Sequence, residues 1–572
     1  MLNRNTDYWF FSGKGGAGKS SMSSATAVRL AEKGHKTLLV STDPAPNLSE
    51  VFEQEIGERP ETVKEVENLS AAELDPDKLT EDFKQKVLEE MRDDVAEDEL
   101  EEIKDSLDMP CTDEIAAFDA FSSFLLSSKF DKVVMDTAPT GNTLQLLESP
   151  FEWIQEIEES ADTCIGPATS LTSEKKMYEQ AIDTLRSEES SFVFVMRPSR
   201  SSLMETQDAV SELSEQGFQV ENLIVNGYTP EKLRNSEFYG RKYKSEQYIT
   251  EKIEGLEIGN ILKVPLMPRE IRGVERVEDV ADILYENAKP EFNLESLSST
   301  EEFSPDKEKV KEKLKESENL FITGKGGSGK TVSALAFAEY AAEQGLDTLF
   351  VSVYSHADVE HFYGKLSGSP QQISQQLDAA KIDRNTALKH LRDSKVEEMK
   401  DKFENSDFNI DEEATLDKIN EQLKSPCAAE KAIRKRLISI LSQDYDLKVF
   451  DMDPTGDALK IIDKLMNSDS HEKLEKNSIY GINTFPEKSP IEEATRTIQH
   501  LDHKYGLDNS FLIVNYLLPE PENDFMKVRK SQQASYLKQL EERIERPMIG
   551  FKEKSGELNS REDVKALIDY SV

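Results

Sequence analysis

The feature that most constrains this sequence is a ten-residue segment that occurs twice. The first copy, at 11–20, reads Phe-Ser-Gly-Lys-Gly-Gly-Ala-Gly-Lys-Ser, and the second, at 322–331, reads Ile-Thr-Gly-Lys-Gly-Gly-Ser-Gly-Lys-Thr. A later segment, 136–141, likewise returns at 451–456 as Asp-Met-Asp-Pro-Thr-Gly. Matching segments in an unchanged order indicate an internal duplication, so we expect two similar domains.

Each copy alternates short apolar runs with longer segments of helical character. Short buried strands separated by helices are typical of parallel sheets that are covered by helices. The sequence therefore predicts an α/β fold with two tandem domains, each a mostly parallel sheet flanked by helices. The runs predicted as strands are 8–11, 37–40, 132–135, 192–196, 223–225 and 261–266 in the first copy, and 320–322, 348–351, 448–450, 480–483 and 511–514 in the second.

The predicted domain boundaries follow from the repeat and from composition. The first domain is expected at 1–289 and the second at 319–572, joined by a Ser-, Glu- and Lys-rich linker at 290–318. Two long polar segments, at about 53–130 and 364–442, contain few prolines and many Glu, Lys and Leu residues. We interpret them as helical insertions, either as a solvated outer layer or as a ligand-binding subdomain.

Both repeated segments match the P-loop pattern Gly-x-x-x-x-Gly-Lys-Ser/Thr, placed after a strand and before a helix. Glycines let the loop amides point at phosphate oxygens, and the helix N-terminus adds partial positive charge. The lysine reaches the phosphates and the hydroxyl holds Mg²⁺. The candidate nucleotide-binding residues are Gly13, Gly15, Gly16, Ala17, Gly18, Lys19, Ser20 and Ser21 in the first copy, and Gly324, Gly326, Gly327, Ser328, Gly329, Lys330, Thr331 and Val332 in the second.

An additional lysine, Lys14 or Lys325, follows the first glycine of each loop. This arrangement resembles the deviant P-loop class that includes MinD, nitrogenase iron protein and ArsA. The resemblance implies that each lysine contacts the nucleotide of the opposite domain across a pseudo-twofold dimer of the two halves, as an arginine finger does. The alternative is a surface lysine beside the loop.

Two further motifs narrow the resemblance to the ArsA family, which includes arsenical pump-driving and tail-anchored-protein-targeting ATPases. Residues 41–49, Ser-Thr-Asp-Pro-Ala-Pro-Asn-Leu-Ser, are similar to the first switch of that family, and residues 136–144 to the second. The resemblance implies that Asp43 activates the attacking water. It assigns Mg²⁺ to Ser20, Asp136, Thr331 and Asp451, and adenine to Asn226, Asn515 and the Pro265–Pro268 loop.

The second copy departs from the family at its first switch. Tyr354 stands 311 residues after Asp43, the spacing that relates the two P-loops, and the Asp-Pro pair is missing. A tyrosine does not provide the carboxylate that orients water. We therefore expect the second site to bind nucleotide and to hydrolyse it slowly or not at all, unless another acid such as Asp358 substitutes.

Cys111, Cys164 and Cys427 are the three cysteines of the chain. Cys111 and Cys427 each follow a proline, and they precede Asp136 and Asp451 by 25 and 24 residues. A lone cysteine is usually a small core residue, but three thiolates suit a soft, thiophilic centre. The resemblance implies that they bind arsenite or antimonite. Zinc fits less well, because no Cys-x-x-Cys or zinc-type histidine spacing occurs.

Charge and hydropathy restrict the partners. The formal net charge of −42 repels nucleic acid and anionic lipid, and no apolar stretch is long enough to cross a bilayer. We see no signal peptide and expect a cytoplasmic monomer with an internal pseudo-dimer. The resemblance implies peripheral association with the membrane through an arsenite carrier of the ArsB type, and allows a metallochaperone as a second partner.

The function implied is the ATPase subunit of an arsenite or antimonite efflux pump, with ATP and Mg²⁺ as cofactors. Metalloid binding between the two domains would drive ATP hydrolysis and hand the ion to the membrane carrier. The alternative is a targeting factor for tail-anchored membrane proteins, which needs a broad apolar groove. Between 53 and 130 the charged helical segments contain two methionines, Met91 and Met109, which disfavours this alternative.

Overall fold

The computed structural model describes residues 6–42, 48–91, 107, 110–127, 129–137, 175–218, 220–255, 258–290, 292, 294–295, 303, 305–353, 358–404, 426–466, 474, 477–506, 509–556, 558, 560–569 and 571–572. The chain divides into two compact units, Met1–Leu294 and Glu295–Val572. Within the described ranges, no helix combines the length and the apolar character needed to cross a membrane.

The first unit is built on one sheet. Its described strands are β1 (Tyr8–Ser12), β2 (Thr37–Ser41), β3 (Glu61–Thr62), β4 (Leu69–Glu73), β5 (Lys132–Asp136), β6 (Ser190–Met196), β7 (Val220–Tyr228) and β8 (Asn260–Pro265). Across the sheet they lie in the order β3-β4-β2-β5-β1-β6-β7-β8. Neighbouring strands are parallel except for the β3–β4 pair, which is antiparallel.

Helices connect these strands and cover the sheet. They are α1 (Lys19–Glu32), α2 (Leu48–Val51), α3 (Pro76–Met91), α4 (Pro110–Leu125), α5 (Lys175–Arg186), α6 (Arg200–Glu215), α7 (Glu237–Glu254) and α8 (Val274–Tyr285), with a 3₁₀ turn at Glu231–Leu233. The side chains of β1 alternate between the two faces, as a strand requires. Phe10 packs with Phe121 and Phe192 on one face, whereas Trp9 and Phe11 belong to the core on the other.

The second unit repeats this sheet strand for strand. Its described strands are β9 (Asn319–Gly324), β10 (Thr348–Val353), β11 (Gln371–Ser374), β12 (Leu377–Ile382), β13 (Leu447–Asp451), β14 (Ser478–Thr484), β15 (Ser510–Leu517) and β16 (Met548–Lys552). Their order is β11-β12-β10-β13-β9-β14-β15-β16, so each strand has a counterpart at the same place in the first sheet. The pair β11–β12 is antiparallel and all other neighbours are parallel.

The helices of the second unit also follow those of the first. They are α9 (Lys307–Lys315), α10 (Lys330–Glu343), α11 (Asp358–Tyr363), α12 (Arg384–Glu404), α13 (Pro426–Leu441), α14 (Thr455–Met466), α15 (Lys488–Tyr505), α16 (Asp524–Arg543) and α17 (Arg561–Asp569). On the central strand β9, Phe321 joins the core of one face and Leu320 and Ile322 join that of the other. The predicted fold class, two helix-flanked and mostly parallel sheets in tandem, is confirmed.

The two segments interpreted as helical insertions are not helical throughout, because each contains strands near its beginning. Each begins with an antiparallel pair at the sheet edge, β3–β4 in the first unit and β11–β12 in the second. Residues 69–73 read Leu-Ser-Ala-Ala-Glu, a composition that favours a helix, but β4 is parallel to β2 and its alanines are buried. Tertiary pairing overrides local propensity here, and the long helices α3, α4, α12 and α13 follow.

The segment interpreted as a linker, 290–318, contains the helix α9. Asp306 accepts a hydrogen bond from the backbone N–H of Lys309 and so caps the helix. Val310 and Leu314 are buried in the core of the second unit. This part of the segment is therefore a packed element of the second unit, which its high Lys and Glu content obscured.

A partly buried ion pair joins α17 to α10 in the second unit. The Arg561 guanidinium donates to both carboxylate oxygens of Glu339, at 2.7 and 2.9 Å, and Glu339 is 2% exposed. Removing the cation leaves a buried carboxylate without its counter-charge. We expect Arg561→Met to lower the free energy of unfolding by about 3 kcal/mol, measured by urea denaturation of the full chain.

The matched control is Lys527→Met, which removes an exposed lysine paired with Asp524 one turn away. Such exposed pairs contribute about 0.3–0.5 kcal/mol, so this variant should unfold close to the wild type. Equal effects of the two substitutions would show that the Arg561–Glu339 pair does not hold α17 in place.

Candidate functional site

The loop between β1 and α1 has a backbone that only glycine accommodates at several positions. Gly13, Gly16 and Gly18 have φ angles of 144°, 77° and 94°. A Cβ atom on Gly13 would lie 2.0 Å from the carbonyl oxygen of Val195 in β6, and one on Gly18 would lie 2.2 Å from Asn226 Nδ2. The glycines are therefore needed both for the turn and for close approach to the neighbouring strands.

The loop ends at the N-terminus of α1, where unpaired amides and the helix dipole favour an anion. Gly18 immediately precedes this helix and has no side chain that could cap these amides. Lys19 is almost fully buried, and its Nζ donates to the carbonyl oxygen of Gly13 at 3.3 Å. A lysine folded back onto a glycine-rich loop at a helix N-terminus is the arrangement that cradles the phosphates of a nucleotide.

The loop between β9 and α10 has the same geometry. Gly324, Gly327 and Gly329 have φ angles of 146°, 77° and 84°. Lys330 Nζ donates to the carbonyl oxygen of Lys325 at 3.3 Å. The hydroxyl residue predicted to bind Mg²⁺ and the residue after it lie in the first turn of the helix in each unit. They are Ser20 and Ser21 in α1, and Thr331 and Val332 in α10. The two predicted phosphate loops are thus built alike.

The aspartates predicted to face Mg²⁺ lie on the strand beside each loop. Asp136 ends β5 and pairs in register with Phe11 of β1, and Asp451 ends β13 and pairs with Ile322 of β9. Both carboxylates are buried. Parallel strands end at one edge of a sheet, so each carboxylate lies at the edge that carries the phosphate loop.

An asparagine on a more distant strand holds each loop in place. Asn226 Nδ2, on β7, donates to the carbonyl oxygen of Ala17 at 2.8 Å, and Asn515 Nδ2, on β15, donates to that of Ser328 at 2.6 Å. Both side chains are buried. The two asparagines predicted to bind the nucleotide therefore connect β7 and β15 to the phosphate loops.

The segment after each of these asparagines is anchored by a side chain from the next helix. In the first unit Glu246, on α7, accepts the backbone N–H of Thr229 at 2.7 Å and its hydroxyl at 3.0 Å. Burial raises the pKa of the Glu246 carboxyl. In the second unit a neutral amide, Gln533 on α16, accepts the N–H of Leu518 at 3.0 Å.

The additional lysines contact their own units. Lys14 Nζ lies 3.1 Å from a carboxylate oxygen of Glu205 and 3.4 Å from Ser201 Oγ, both on α6. Lys325 Nζ is hydrogen-bonded to Ser489 on α15, which is the counterpart of α6. In each unit this lysine thus contacts the first turns of the helix, α6 or α15, that follows the neighbouring strand of the sheet, β6 or β14.

Several predicted residues lie outside the described part of the chain. These are Asp43, Cys164 and Tyr354, and the side chains of Cys111, Cys427 and Asp358 are likewise not described. The backbones of Cys111 and Cys427 are described, and each cysteine is the second residue of a helix, α4 or α13, that begins with proline. The two cysteines therefore occupy equivalent places in the two folds.

Some contacts at the sites were not predicted from the sequence. Ser201 and Glu205 contact Lys14, and Tyr516 Oη donates to the carbonyl oxygen of Gly327 at 3.1 Å. Asn483, on β14, donates to the carbonyl oxygen of Ser328 at 3.2 Å. One signal was present in the sequence: Ser-x-x-x-Glu occurs at 201–205 and again at 489–493.

A glycine-rich loop between a parallel strand and a helix, with a lysine folded over it and an aspartate on the adjacent strand, defines a P-loop nucleoside triphosphatase. This chain has two such sites. The model for the anion-transporting ATPase family matches residues 6–286, 317–478 and 468–564. The chain belongs to this family, and the predicted family resemblance and the ATPase class are both confirmed.

Two similar proteins align with most of this chain, and a third aligns with about half of it. A Halobacterium salinarum protein provisionally named an arsenical pump-driving ATPase is 37% identical over 590 residues, covering 96% of this chain and 92% of that protein. The Escherichia coli arsenical pump-driving ATPase is 29% identical over 562 residues, covering 91% and 92%. The Caenorhabditis elegans ATPase asna-1 is 33% identical over 315 residues, covering 48% of this chain and 91% of that protein.

The close approach of Gly18 to Asn226 allows a direct test of the first phosphate loop. Gly18→Ala would place a methyl group 2.2 Å from Asn226 Nδ2 at a φ of 94°. We expect MgATP affinity at the first site to fall at least about tenfold, because the loop or the asparagine must move; 1.4 kcal/mol suffices for this change. Isothermal titration calorimetry measures the affinity.

Gly34→Ala is the matched control. Gly34 has a similar φ of 87°, but a Cβ there would meet nothing within 4 Å. This variant carries the backbone strain alone, so nucleotide affinity should be unchanged even if stability falls by about 1 kcal/mol. Normal MgATP binding at both sites of Gly18→Ala would contradict the proposed role of this loop.

Proposed function

We propose that this chain is the ATPase subunit of an arsenite or antimonite efflux pump. The observation that carries the proposal is the pairing of two alike P-loop sites with a cysteine at the same helical position in each unit. Similarity over more than nine-tenths of the chain to arsenical pump-driving ATPases supports it. The membrane carrier, and any metallochaperone, are partners implied by that role.

In the proposed cycle the first site hydrolyses ATP. Lys19 and the loop amides hold the phosphates, and Ser20 with Asp136 holds Mg²⁺, directly or through water. Asp43 orients the attacking water, so that the developing charge meets a preorganised site. The second site uses Lys330, Thr331 and Asp451 in the same way but has Tyr354 in place of the carboxylate. It retains nucleotide with little turnover.

The proposed ligand of the regulatory site is a trivalent metalloid bound by Cys111, Cys164 and Cys427. Thiolates are soft donors and match a soft, thiophilic ion. The helices that carry Cys111 and Cys427 end shortly before β5 and β13, the strands of the Mg²⁺ aspartates. Each helix thus links a thiol to the strand beside a phosphate loop. The metalloid stimulates hydrolysis if it binds the hydrolysis-competent conformation more tightly than the other.

The additional lysines complete this scheme. In the proposed active conformation, Lys14 and Lys325 contact the nucleotide of the opposite half, whereas in the structure each rests on its own unit. Each lysine must therefore leave its serine and helix before it can stabilise a phosphate in the other half. The cost of breaking these contacts keeps the ATPase slow until the metalloid binds.

The proposed coupling predicts the behaviour of Cys427→Ser. Loss of one sulfur removes a third of the metalloid's ligands, so arsenite should no longer raise the ATPase rate, while the rate without arsenite stays unchanged. Steady-state phosphate release with and without arsenite measures both rates. Ser425→Ala, two residues away and without a thiol, should keep full stimulation. Full stimulation in Cys427→Ser would refute the coupling.

The contact between Lys14 and Glu205 in this structure leads to a second prediction. Glu205→Gln removes a partly buried ion pair that contributes about 1 kcal/mol, which corresponds to about fivefold in an equilibrium. Because Lys14 is then released more easily, we expect the ATPase rate without metalloid to rise by about that factor. Glu212→Gln, on the exposed side of the same helix, is the control. An unchanged or lowered rate in Glu205→Gln would contradict the release step.

The alternative function, the targeting of tail-anchored proteins, differs from the proposed one in the ligand that stimulates the ATPase. A factor of that kind binds an apolar transmembrane helix, so a synthetic helix of that type should stimulate the ATPase and protect an apolar groove from labelling. We expect no such effect, and we expect stimulation by arsenite. The reverse result would assign the chain to protein targeting.

A further inference from the structure

Tyr516 has an unusual backbone conformation at the second nucleotide site. It follows Asn515 on β15, and its φ angle is 57°, in the left-handed region that a bulky residue rarely adopts. The residue is 40% exposed, so burial of the ring does not offset this strain. Strained residues that persist without such compensation cluster at functional sites.

The contacts of Tyr516 place its ring beside the phosphate loop. Its hydroxyl donates to the carbonyl oxygen of Gly327 at 3.1 Å. Its ring meets the ring of Phe485 edge to face, with centroids 5.7 Å apart and planes inclined by 81°. Gln533 Nε2 donates to the Tyr516 carbonyl oxygen at 2.8 Å and fixes the backbone. The aromatic ring is therefore held in a defined position with part of its surface open.

The first unit has neither aromatic residue at the equivalent place. The residue after Asn226 is Gly227, with a φ angle of 81°, so the same left-handed conformation there carries no strain. The residue in the place of Phe485 is Arg197, whose Nη1 would lie 2.3 Å from a Cβ on Gly227. The two sites thus share the phosphate loop and the asparagine but differ at the edge beside them.

We propose that Tyr516, supported by Phe485, is a stacking surface for the adenine ring of the nucleotide at the second site. This inference rests on the proposed function, in which the second site retains ATP or ADP. An aromatic face binds a purine through stacking, largely independently of hydrogen bonding. The position fits, because ligands of such sheets lie at the carboxyl ends of the strands, beside the loop and Asn515.

The consequence is a difference between the two sites in nucleotide retention. Alanine substitution of a stacking aromatic typically weakens base binding about five- to one-hundredfold. The second site therefore releases nucleotide more slowly than the first, where the counterpart is Gly227. A site that turns over slowly and holds its nucleotide acts as a fixed structural partner for the site that hydrolyses.

A different role for Tyr516 would be to brace the phosphate loop through Gly327. The two roles are separable with a ligand that has phosphates but no base. In full-length protein with Gly18→Ala, in which the first site binds at least about tenfold more weakly, the second site is the tighter phase of the titration. Into this background we would introduce Tyr516→Gly, which copies the first unit and removes the strain, and Tyr516→Phe, which removes only the hydroxyl. Calorimetric titration with MgADP and with magnesium pyrophosphate measures each affinity.

We expect Tyr516→Gly to weaken MgADP binding about tenfold and to leave magnesium pyrophosphate binding within about twofold, and Tyr516→Phe to bind both like its parent. An unchanged or higher MgADP affinity in Tyr516→Gly would overturn the proposal. So would an equal loss for pyrophosphate, which would assign the brace role instead. If the parent with Tyr516 intact binds no MgADP, then the proposed occupancy of the second site is itself wrong.

Discussion

The structure depends on one hydrogen bond in each unit, from an asparagine amide to a carbonyl oxygen of the phosphate loop. Asn226 and Asn515 cross from β7 and β15 to the loops at 2.8 and 2.6 Å. Because these groups are buried, a lost partner would leave an unsatisfied polar group at a cost of about 1–3 kcal/mol. The bond explains the glycines at positions 18 and 329, where a Cβ would collide with the amide. It also holds in place the loop whose amides we propose to bind the phosphates.

Around this shared bond the two units have diverged in what surrounds the nucleotide. The second loop is held by two further donors, Asn483 and Tyr516, and its neighbouring strand segment is anchored by the neutral Gln533. The first loop has Val195 and Gly227 at the corresponding positions, and its segment is anchored by the buried acid Glu246. More cross-links to the second loop favour retention, and fewer favour exchange. In the proposed function this asymmetry accompanies the replacement of the aspartate at position 43 by Tyr354 in the second copy.

The sequence was most informative for features that are determined by residues close together in the chain. Central strands such as Tyr8–Ser12 are continuous apolar runs followed by a glycine-rich turn, and a P-loop needs glycine at fixed spacings, so both could be predicted. The edge strand Leu69–Glu73 could not, because its alanines favour a helix and only pairing with β2 makes it a strand. The resting place of Lys14 is 187 residues away at Ser201. Contacts of that kind depend on the finished topology: the repeated Ser-x-x-x-Glu pattern could mark Ser201 and Ser489, but not the lysines that they contact.

In the proposed function both sites hold nucleotide at the same time, but only the first hydrolyses it rapidly. The most direct test of this proposal is a single-turnover experiment with radiolabelled ATP, in which bound nucleotide and its conversion to ADP are counted per chain in the presence of arsenite. We predict two nucleotides bound per chain, of which one is converted rapidly and the other remains ATP long after that conversion is complete. Conversion of both at one rate, or binding of a single nucleotide, would contradict the account.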